Sequence, residues 1–195
     1  ISSSDDKTIA VWETGSTEAV NTLETESGCA VSLAVHPEGQ HVISGCRDGS
    51  LRTWSLAPRP TWKRPPKHGA QVNDIRLLPG EDRAVSASSD RTVKVWDIST
   101  GQCLDTLSGH KRWVNAVAPF PDGRRIVSAS SDGTLRVWDL DPANVGHGKP
   151  EVLEGNGDWY SAVTVTRGGL HVLSVSWQDS ALTLWSMAGG GSFRP

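Results

Sequence analysis

The chain has 195 residues, 36% of them apolar and 21% charged, with a formal net charge of −3. A chain of this size and composition can fold around its own apolar core, and it has no run of about 18 apolar residues that would predict a membrane-spanning helix. The pI near 6.1 argues against a broad basic face for nucleic acid.

The ends and the cysteines indicate the cellular context. The first residue is Ile1 and the only methionine is Met187, so we expect the sequence to be an internal piece of a longer chain. Its start lacks the basic and apolar stretches of a secretory signal peptide. Cys29, Cys46 and Cys103 form no CxxC pair, which argues against a disulfide framework or a zinc site. We expect free thiols and an intracellular protein, either cytoplasmic or nuclear.

Short strands separated by turns are predicted along the whole chain, and no window sustains a helical apolar period. Strands rich in Val, Ile and Trp with Asp-Gly turns between them indicate an all-β repeat structure. We expect three strands from residues 1–23 and three more from residues 156–187. Between them the predicted strands lie at 31–35, 41–46, 50–56, near 60–64, 72–78, 83–88, 92–98, 103–107, 114–120, 125–130, 134–140 and 150–154.

The sequence repeats itself at a fixed distance. SASSDRTVKVWD at 86–97 returns as SASSDGTLRVWD at 128–139. Five tryptophans lie 42, 42, 42 and 47 residues apart, and an aspartate stands six positions before each of them. The tryptophans are Trp12, Trp54, Trp96, Trp138 and Trp185, and the aspartates are Asp6, Asp48, Asp90, Asp132 and Asp179. Such a period predicts structural units that stack on their own copies.

Units of this length that end in Trp-Asp resemble the repeats of the WD-repeat β-propeller family. The WD dipeptide stands at 96–97 and 138–139, and a Gly-His pair precedes the second at 109–110. The resemblance implies an all-β fold, in which β-propeller blades of four antiparallel strands form an incomplete ring. We expect three full blades and two partial terminal blades, with the remaining blades supplied by sequence outside this segment.

The strand count also divides the chain into units. The propeller segment is expected to cover 1–187, and a flexible Gly-rich tail is expected at 188–195. The predicted units are about 1–24, 25–66, 67–108, 109–153 and 154–187.

Serine, histidine and aspartate recur together in two units, an arrangement that in a hydrolase activates a nucleophile. The sets are His68, Ser86, Asp90 and Trp96, and His110, Ser128, Asp132 and Trp138. An active site has no reason to be repeated once per unit, so we interpret both sets as structural. The resemblance implies that the serine accepts from the indole, the histidine bonds to the serine, and the aspartate holds the histidine. Units two and five have Glu26 and Asn156 in place of the histidine, and we expect them to be less stable.

In WD-repeat propellers, the loops before the first strand of a blade and between its second and third strands open on one face. The resemblance places there eight residues that we predict to bind partners: Arg47, Lys111, Arg112, Trp113, Asp158, Trp159, Tyr160 and Trp177. Tryptophan, tyrosine and arginine on a polar rim dominate protein-binding hot spots. The alternative for Trp113 and Trp159 is packing between blades.

A proline-rich segment at 58–69 carries the only basic cluster in the sequence, formed by Arg59, Lys63, Arg64 and Lys67. Its four prolines cannot donate to a strand ladder, which predicts an edge strand or a loop. Nucleic-acid binding through residues 59–67 is an alternative function that the acidic pI argues against.

Together these features predict a non-catalytic scaffold that presents its loop face to protein or peptide partners. No cofactor is expected, because the loops show neither a metal-spaced cluster of His, Cys or Glu nor an unrepeated acid–base pair. The alternatives are a regulatory or substrate-receptor domain of a larger enzyme or signalling protein, and an enzyme that uses the central pocket of the propeller.

Overall fold

A computed structural model of the chain describes residues 1–4, 6–12, 14–15, 17–24, 30–36, 41–55, 67–80, 82–141, 143, 148–155, 158–178, 180–187 and 193–194. These residues form 18 β-strands in five antiparallel sheets, three with four strands and two with three. No helix that could span a membrane occurs in this part of the chain. We number the sheets as blades one to five in chain order.

Strands that follow one another in the chain are neighbours in each sheet. Blade one holds Ser2–Ser3 (β1), Thr8–Trp12 (β2) and Ala19–Glu24 (β3), and blade two holds Ala30–Val35 (β4), His41–Cys46 (β5) and Leu51–Ser55 (β6). Blade three holds Val72–Leu77 (β7), Arg83–Ser88 (β8), Thr92–Asp97 (β9) and Cys103–Ser108 (β10). Blade four holds Val114–Pro119 (β11), Arg125–Ser130 (β12), Thr134–Asp139 (β13) and Glu151–Glu154 (β14). Blade five holds Tyr160–Val165 (β15), His171–Ser176 (β16), Leu182–Met187 (β17) and Phe193–Arg194 (β18).

The repeat in sequence is also a repeat in strand pairing. The register of β7 against β8 shifts between Val72 and Asp74, and that of β11 against β12 shifts between Val114 and Ala116. The first strands of blades two and five carry the same shift. The prediction of an all-β fold built from antiparallel blades is therefore confirmed.

The last blade differs from the expectation because it has a fourth strand. β18 lies in the tail that the sequence predicts to be flexible, and it pairs with the outer edge of β17. The sequence predicts no strand at residues 193–194, where the N–H and C=O groups along the edge of β17 pair with a short extended segment. The strand predicted near 60–64 lies outside the described residues.

The apolar core lies between successive blades. An apolar stripe on blade three packs against Trp138, the tryptophan of blade four. All the residues involved are buried, and those of the stripe are Val85, Ala87, Val93 and Val95. The corresponding stripe on blade four packs against Trp185, the tryptophan of blade five, and consists of Val127, Ala129, Leu135 and Val137. Burial of a Val, Leu or Ile side chain stabilises the fold by about 1.5–3 kcal/mol, so these interfaces hold the row of blades together.

The equivalent stripe on blade five is open to solvent. Leu182 and Leu184 are 68% and 49% exposed, whereas Val93 and Val95, at the same positions of blade three, are 0% and 3% exposed. At the other end of the row, Trp12 of blade one is also exposed. The described blades therefore have two open faces.

Asparagine side chains connect the first strands of neighbouring blades. Asn73 Nδ2 donates to the carbonyl oxygen of Val114 at 2.7 Å, and Asn115 Nδ2 donates to that of Tyr160 at 2.7 Å. A buried carbonyl needs a donor, and here the donor comes from the preceding blade. These bonds therefore hold the first residues of blades four and five in position. They fix the loops that carry the candidate site.

Candidate partner-binding site

A tryptophan–serine hydrogen bond recurs in all five blades. The indole N–H donates to the serine Oγ at 2.8–2.9 Å in each pair: Trp12 to Ser2, Trp54 to Ser44, Trp96 to Ser86, Trp138 to Ser128 and Trp185 to Ser174. Three of these tryptophans are fully buried, so their N–H groups depend on this acceptor. The even spacing of tryptophans in the sequence thus corresponds to one repeated contact.

Blades three and four extend this bond into a chain that ends at the turn aspartate. In blade three, His68 Nε2 lies 2.7 Å from Ser86 Oγ, and His68 Nδ1 lies 2.8 Å from Asp90 Oδ2. Blade four repeats the set with His110, Ser128 and Asp132 at 2.8 and 2.9 Å. A carboxylate only accepts, so Nδ1 carries the proton. Donation then runs from indole N–H to serine Oγ, from serine O–H to Nε2, and from Nδ1–H to the carboxylate.

The ionisation of this chain follows from burial and hydrogen bonding. Burial raises the pKa of Asp132, but bonds from His110, Thr134 and the Lys111 N–H outweigh burial and hold this pKa well below its usual value. The pKa of Asp90 is lowered by the equivalent bonds. Burial lowers the pKa of His110, an effect that Asp132 partly offsets. The His110–Asp132 pair at neutral pH is therefore a carboxylate with a neutral imidazole.

These polar sets face the interior of their blades. Ser86 and Ser128 have no exposed surface, and each hydroxyl is engaged by a tryptophan and a histidine. A nucleophile or general base must reach its substrate, and the hydrogen bonds of these side chains run to partners within their own blade. Their geometry suits holding three parts of a blade together.

The turn that follows each aspartate has a residue with a left-handed backbone. The φ values lie between 55° and 81° in the five blades: Lys7, Gly49, Arg91, Gly133 and Ser180. Glycine adopts this conformation without strain, whereas for a residue with a side chain it costs about 1–2 kcal/mol of conformational free energy. Arg91 is thus held in a conformation in which glycine would be more stable.

One end of the row of blades is formed by the loop before each first strand and the turn between second and third strands. A backbone bond of 2.8–2.9 Å joins the two in three blades: Ser89 N–H to Gln71 C=O, Ser131 N–H to Trp113 C=O, and Trp177 N–H to Trp159 C=O. Because the bond recurs, the side chains of these loops lie side by side on one surface, which we call the loop face.

The loop face contains a pocket of about 350 Å³ between the loops of blades three, four and five. Its lining residues are Ser89, Arg91, Lys111, Arg112, Trp113, Ser131 and Trp159. The guanidinium carbon of Arg112 lies 5.8 Å from the ring centroid of Trp159, which is a cation–π contact. Trp113 and Trp159 are 61% and 43% exposed. Neither ring is buried in the core between blades, although Trp159 contacts Arg112 of the neighbouring blade.

Four of the eight predicted partner-binding residues line this pocket, namely Lys111, Arg112, Trp113 and Trp159. Arg47 and Trp177 occupy, in blades two and five, the turn position that Ser89 and Ser131 occupy in blades three and four. Both are exposed, Trp177 at 72%. Asp158 is half-buried at the start of the blade-five loop.

The side chain of Tyr160 does not lie on the loop face, where the sequence analysis places it. The side chain is 2% exposed, and its ring centroid lies 6.4 Å from that of Trp185. Tyr160 is the first residue of β15, and side chains alternate between the two faces of a strand. It therefore points into the core between blades four and five, next to the exposed Trp159.

Sequence reasoning missed three lining residues, Ser89, Arg91 and Ser131. For Arg91 a signal was present, since an arginine interrupts the Asp-Gly turn that Gly49 and Gly133 form in the neighbouring blades. The two serines carried no such signal, because small polar residues are common in turns.

Several predicted features lie outside the described residues. They include Arg59, Lys63 and Arg64 of the basic segment, the substitutions Glu26 and Asn156, and Asp179. Lys67 is described and exposed. No cluster of three or more His, Cys, Asp or Glu residues within the described ranges could hold a metal ion.

Stacked antiparallel sheets, one tryptophan–serine bond in each, and a shared loop face define a repeat protein made of propeller blades. The chain belongs to the WD40 family, because the profile of the WD domain, G-beta repeat, matches residues 17–55, 62–97 and 101–139, more than half of its length. The matches at 17–55 and 101–139 each begin just before an outer strand, β3 or β10, and end with the last residue of the third strand of the next blade. Each such repeat therefore joins two blades covalently.

The chain is similar over a short stretch to curated proteins named p21-activated protein kinase-interacting protein 1-like. Over 56 residues it is 39% identical to the protein of Danio rerio, 38% to that of Xenopus laevis and 34% to that of Gallus gallus. The matched stretch covers 29% of this chain and 15% of the length of each relative.

Proposed function

We propose that this chain is a non-catalytic scaffold segment that binds protein or peptide partners through its loop face. The observation that carries the proposal is the pocket, where Trp113 and Trp159 stand beside Lys111 and Arg112. The WD40 repeats and the similarity to kinase-interacting proteins support a protein-interaction propeller.

The energetics of the exposed tryptophans favour a binding role. Trp113, Trp159 and Trp177 leave large aromatic surfaces in water on one face, although apolar burial drives folding. Large aromatic side chains that become buried in an interface are the residues whose truncation costs about 2 kcal/mol or more of binding energy. Arg112 would hold the Trp159 ring in place before a partner arrives, which lowers the entropy lost on binding.

The names of the similar proteins supply one candidate partner. Those proteins are named as interacting with p21-activated protein kinase, and we propose this kinase as the first partner to examine. The similarity covers 56 residues, so other partners must be sampled in the same experiment.

The test is affinity capture with the wild-type chain and with the double variant Arg112→Ala, Trp159→Ala. The immobilised chain is the bait, and purified p21-activated protein kinase and a whole-cell lysate are tested separately as sources of partner. We expect the double variant to lose partners by about tenfold or more in affinity, with an unchanged melting temperature because both side chains are exposed.

The matched control is Arg167→Ala, Leu170→Ala. This pair also removes one exposed arginine and one exposed apolar side chain, but it lies between β15 and β16 at the opposite end of the blade. The control should capture the same partners as the wild type. Identical capture by all three proteins would refute the proposal.

We also propose that further WD40 blades of the same protein cover the two open faces. The support is the contrast between the exposed Leu184 and its buried counterpart Val95. A Leu184→Cys variant tests this, since a thiol reagent should label the cysteine in this segment and not in the full-length protein. Equal labelling in both would rule out coverage of the blade-five face.

A further inference from the structure

The pocket on the loop face carries three positive charges without a negative one. Arg91, Lys111 and Arg112 line it together with serine and tryptophan, and no Asp or Glu does. Among the described residues, no carboxylate lies within ion-pair distance of any of these three side chains. A bound anion would be attracted to all three charges.

The backbone of Arg91, which lines the pocket, is strained. Its φ of 75° belongs to the region that favours glycine, and glycine stands at this position in blades two and four. Strain retained at one position is a reason to look for a function there. Lys7 and Ser180 share the conformation, so the argument depends on the strain together with the place of Arg91 in the pocket wall.

We propose that this pocket binds an acidic segment of a protein partner. A carboxylate or phosphate group would contact the cations, and a neighbouring apolar side chain would pack on Trp113 and Trp159. The inference rests on the proposed function, because it names the chemistry of a partner at the same surface. Guanidinium groups suit both anions, since they donate two parallel hydrogen bonds to either.

A peptide fits this site better than a nucleic acid does. Single-stranded nucleic acid is bound by a continuous positive groove with a series of stacking aromatic rings. The charge here is confined to a pocket of about 350 Å³, and the whole chain has a net charge of −3. The pocket therefore matches one or two anionic side chains rather than a phosphate backbone.

The test uses libraries of short peptides with randomised flanks and one fixed central residue. The fixed residue is phosphoserine in one library, glutamate in the second and glutamine in the third. We expect the wild-type chain to retain at least one anionic library about tenfold more than the glutamine library. The better retained of the two anionic libraries identifies phosphate or carboxylate as the source of charge.

Three variants assign any preference to the pocket. Arg91→Gln and Lys111→Gln should each reduce the preference for the anionic library about fivefold, while Arg167→Gln, at the opposite end of blade five, should leave it unchanged. Higher ionic strength should weaken binding of the anionic library only. Equal retention of all three libraries, or a preference that survives both pocket variants, would overturn the inference.

Two further results separate this inference from the proposed function. If partner capture is lost with Trp159→Ala but persists with Arg91→Gln and Lys111→Gln, the loop face binds partners and the anionic chemistry is wrong. If none of these variants changes capture, the proposed function fails as well. The inference would also be overturned if a short single-stranded oligonucleotide bound more tightly than the anionic peptides and its binding depended on Lys111.

Discussion

Replacement of Ser86 by alanine removes one oxygen atom that serves two buried neighbours. Ser86 Oγ accepts from the Trp96 indole at 2.8 Å and lies 2.7 Å from His68 Nε2. The three residues are at most 1% exposed, so water cannot replace the lost atom. Each buried group left without a partner costs about 1–3 kcal/mol, and the free energy of unfolding should fall by about 2–5 kcal/mol.

Two other serines provide matched controls because they serve fewer partners. Among the described residues, Ser174 Oγ accepts from the buried Trp185 alone, so Ser174→Ala should cost about 1–3 kcal/mol. Ser44 Oγ accepts from Trp54, which is only half-buried, and its other neighbour is Cys46 Sγ at 3.7 Å. Ser44→Ala should therefore cost about 1 kcal/mol or less, because water can reach the indole.

Urea denaturation followed by far-ultraviolet circular dichroism measures these differences. A shift in the midpoint with an unchanged slope reports a change in stability alone. If the three alanine variants lose the same stability within about 0.5 kcal/mol, or if Ser44→Ala loses most, the number of buried partners does not set the cost. The structural interpretation of the repeated serine would then be refuted.

The remaining predictions concern backbone strain, pH and the open face. Arg91→Gly should raise the free energy of unfolding by about 0.5–1 kcal/mol, and Gly133→Ala should lower it by about 1 kcal/mol. Thermal unfolding measures both changes in stability, and changes in the same direction would contradict this prediction. Stability should fall as pH drops below 6.5, because the pKa of His110 is lowered in the folded state and the unfolded chain binds the extra proton. Urea denaturation at several pH values in this range measures how steeply the free energy of unfolding depends on pH. This dependence should be weaker for His110→Asn, and an unchanged dependence would exclude His110 as the cause. Val95→Ala should cost about 2 kcal/mol and Leu184→Ala less than about 0.5 kcal/mol, and comparable losses would show that the blade-five face is covered.

The blades could be predicted from the sequence because their determinants are local and repeated. A tryptophan, an aspartate six positions earlier and alternating apolar residues define each unit within about 42 residues. The pairing of β8 with β9 and of β12 with β13 follows from the short turns between them, since such turns leave few alternative registers. The strand β18 escaped prediction because two residues carry no periodic pattern.

Adjacent residues on the loop face show where local patterns stop being sufficient. Trp159 and Tyr160 are both aromatic and neighbours in the chain, yet one is exposed and the other is buried. Which of them turns inward depends on where β15 begins, and Asn115 of the preceding blade bonds to that point. A contact between blades thus decided an assignment that the two residue types left open.

The sequence alone determined that this protein is a row of β-blades, because each blade is specified by side chains close together in the chain. Only the tertiary structure decided that Arg91, Lys111 and Trp159, which come from three blades, share one pocket. It likewise decided that Leu184 is open while Val95 is covered. In the sequence both are apolar residues at the same position of a strand. Burial depends on what packs against that strand rather than on the strand itself.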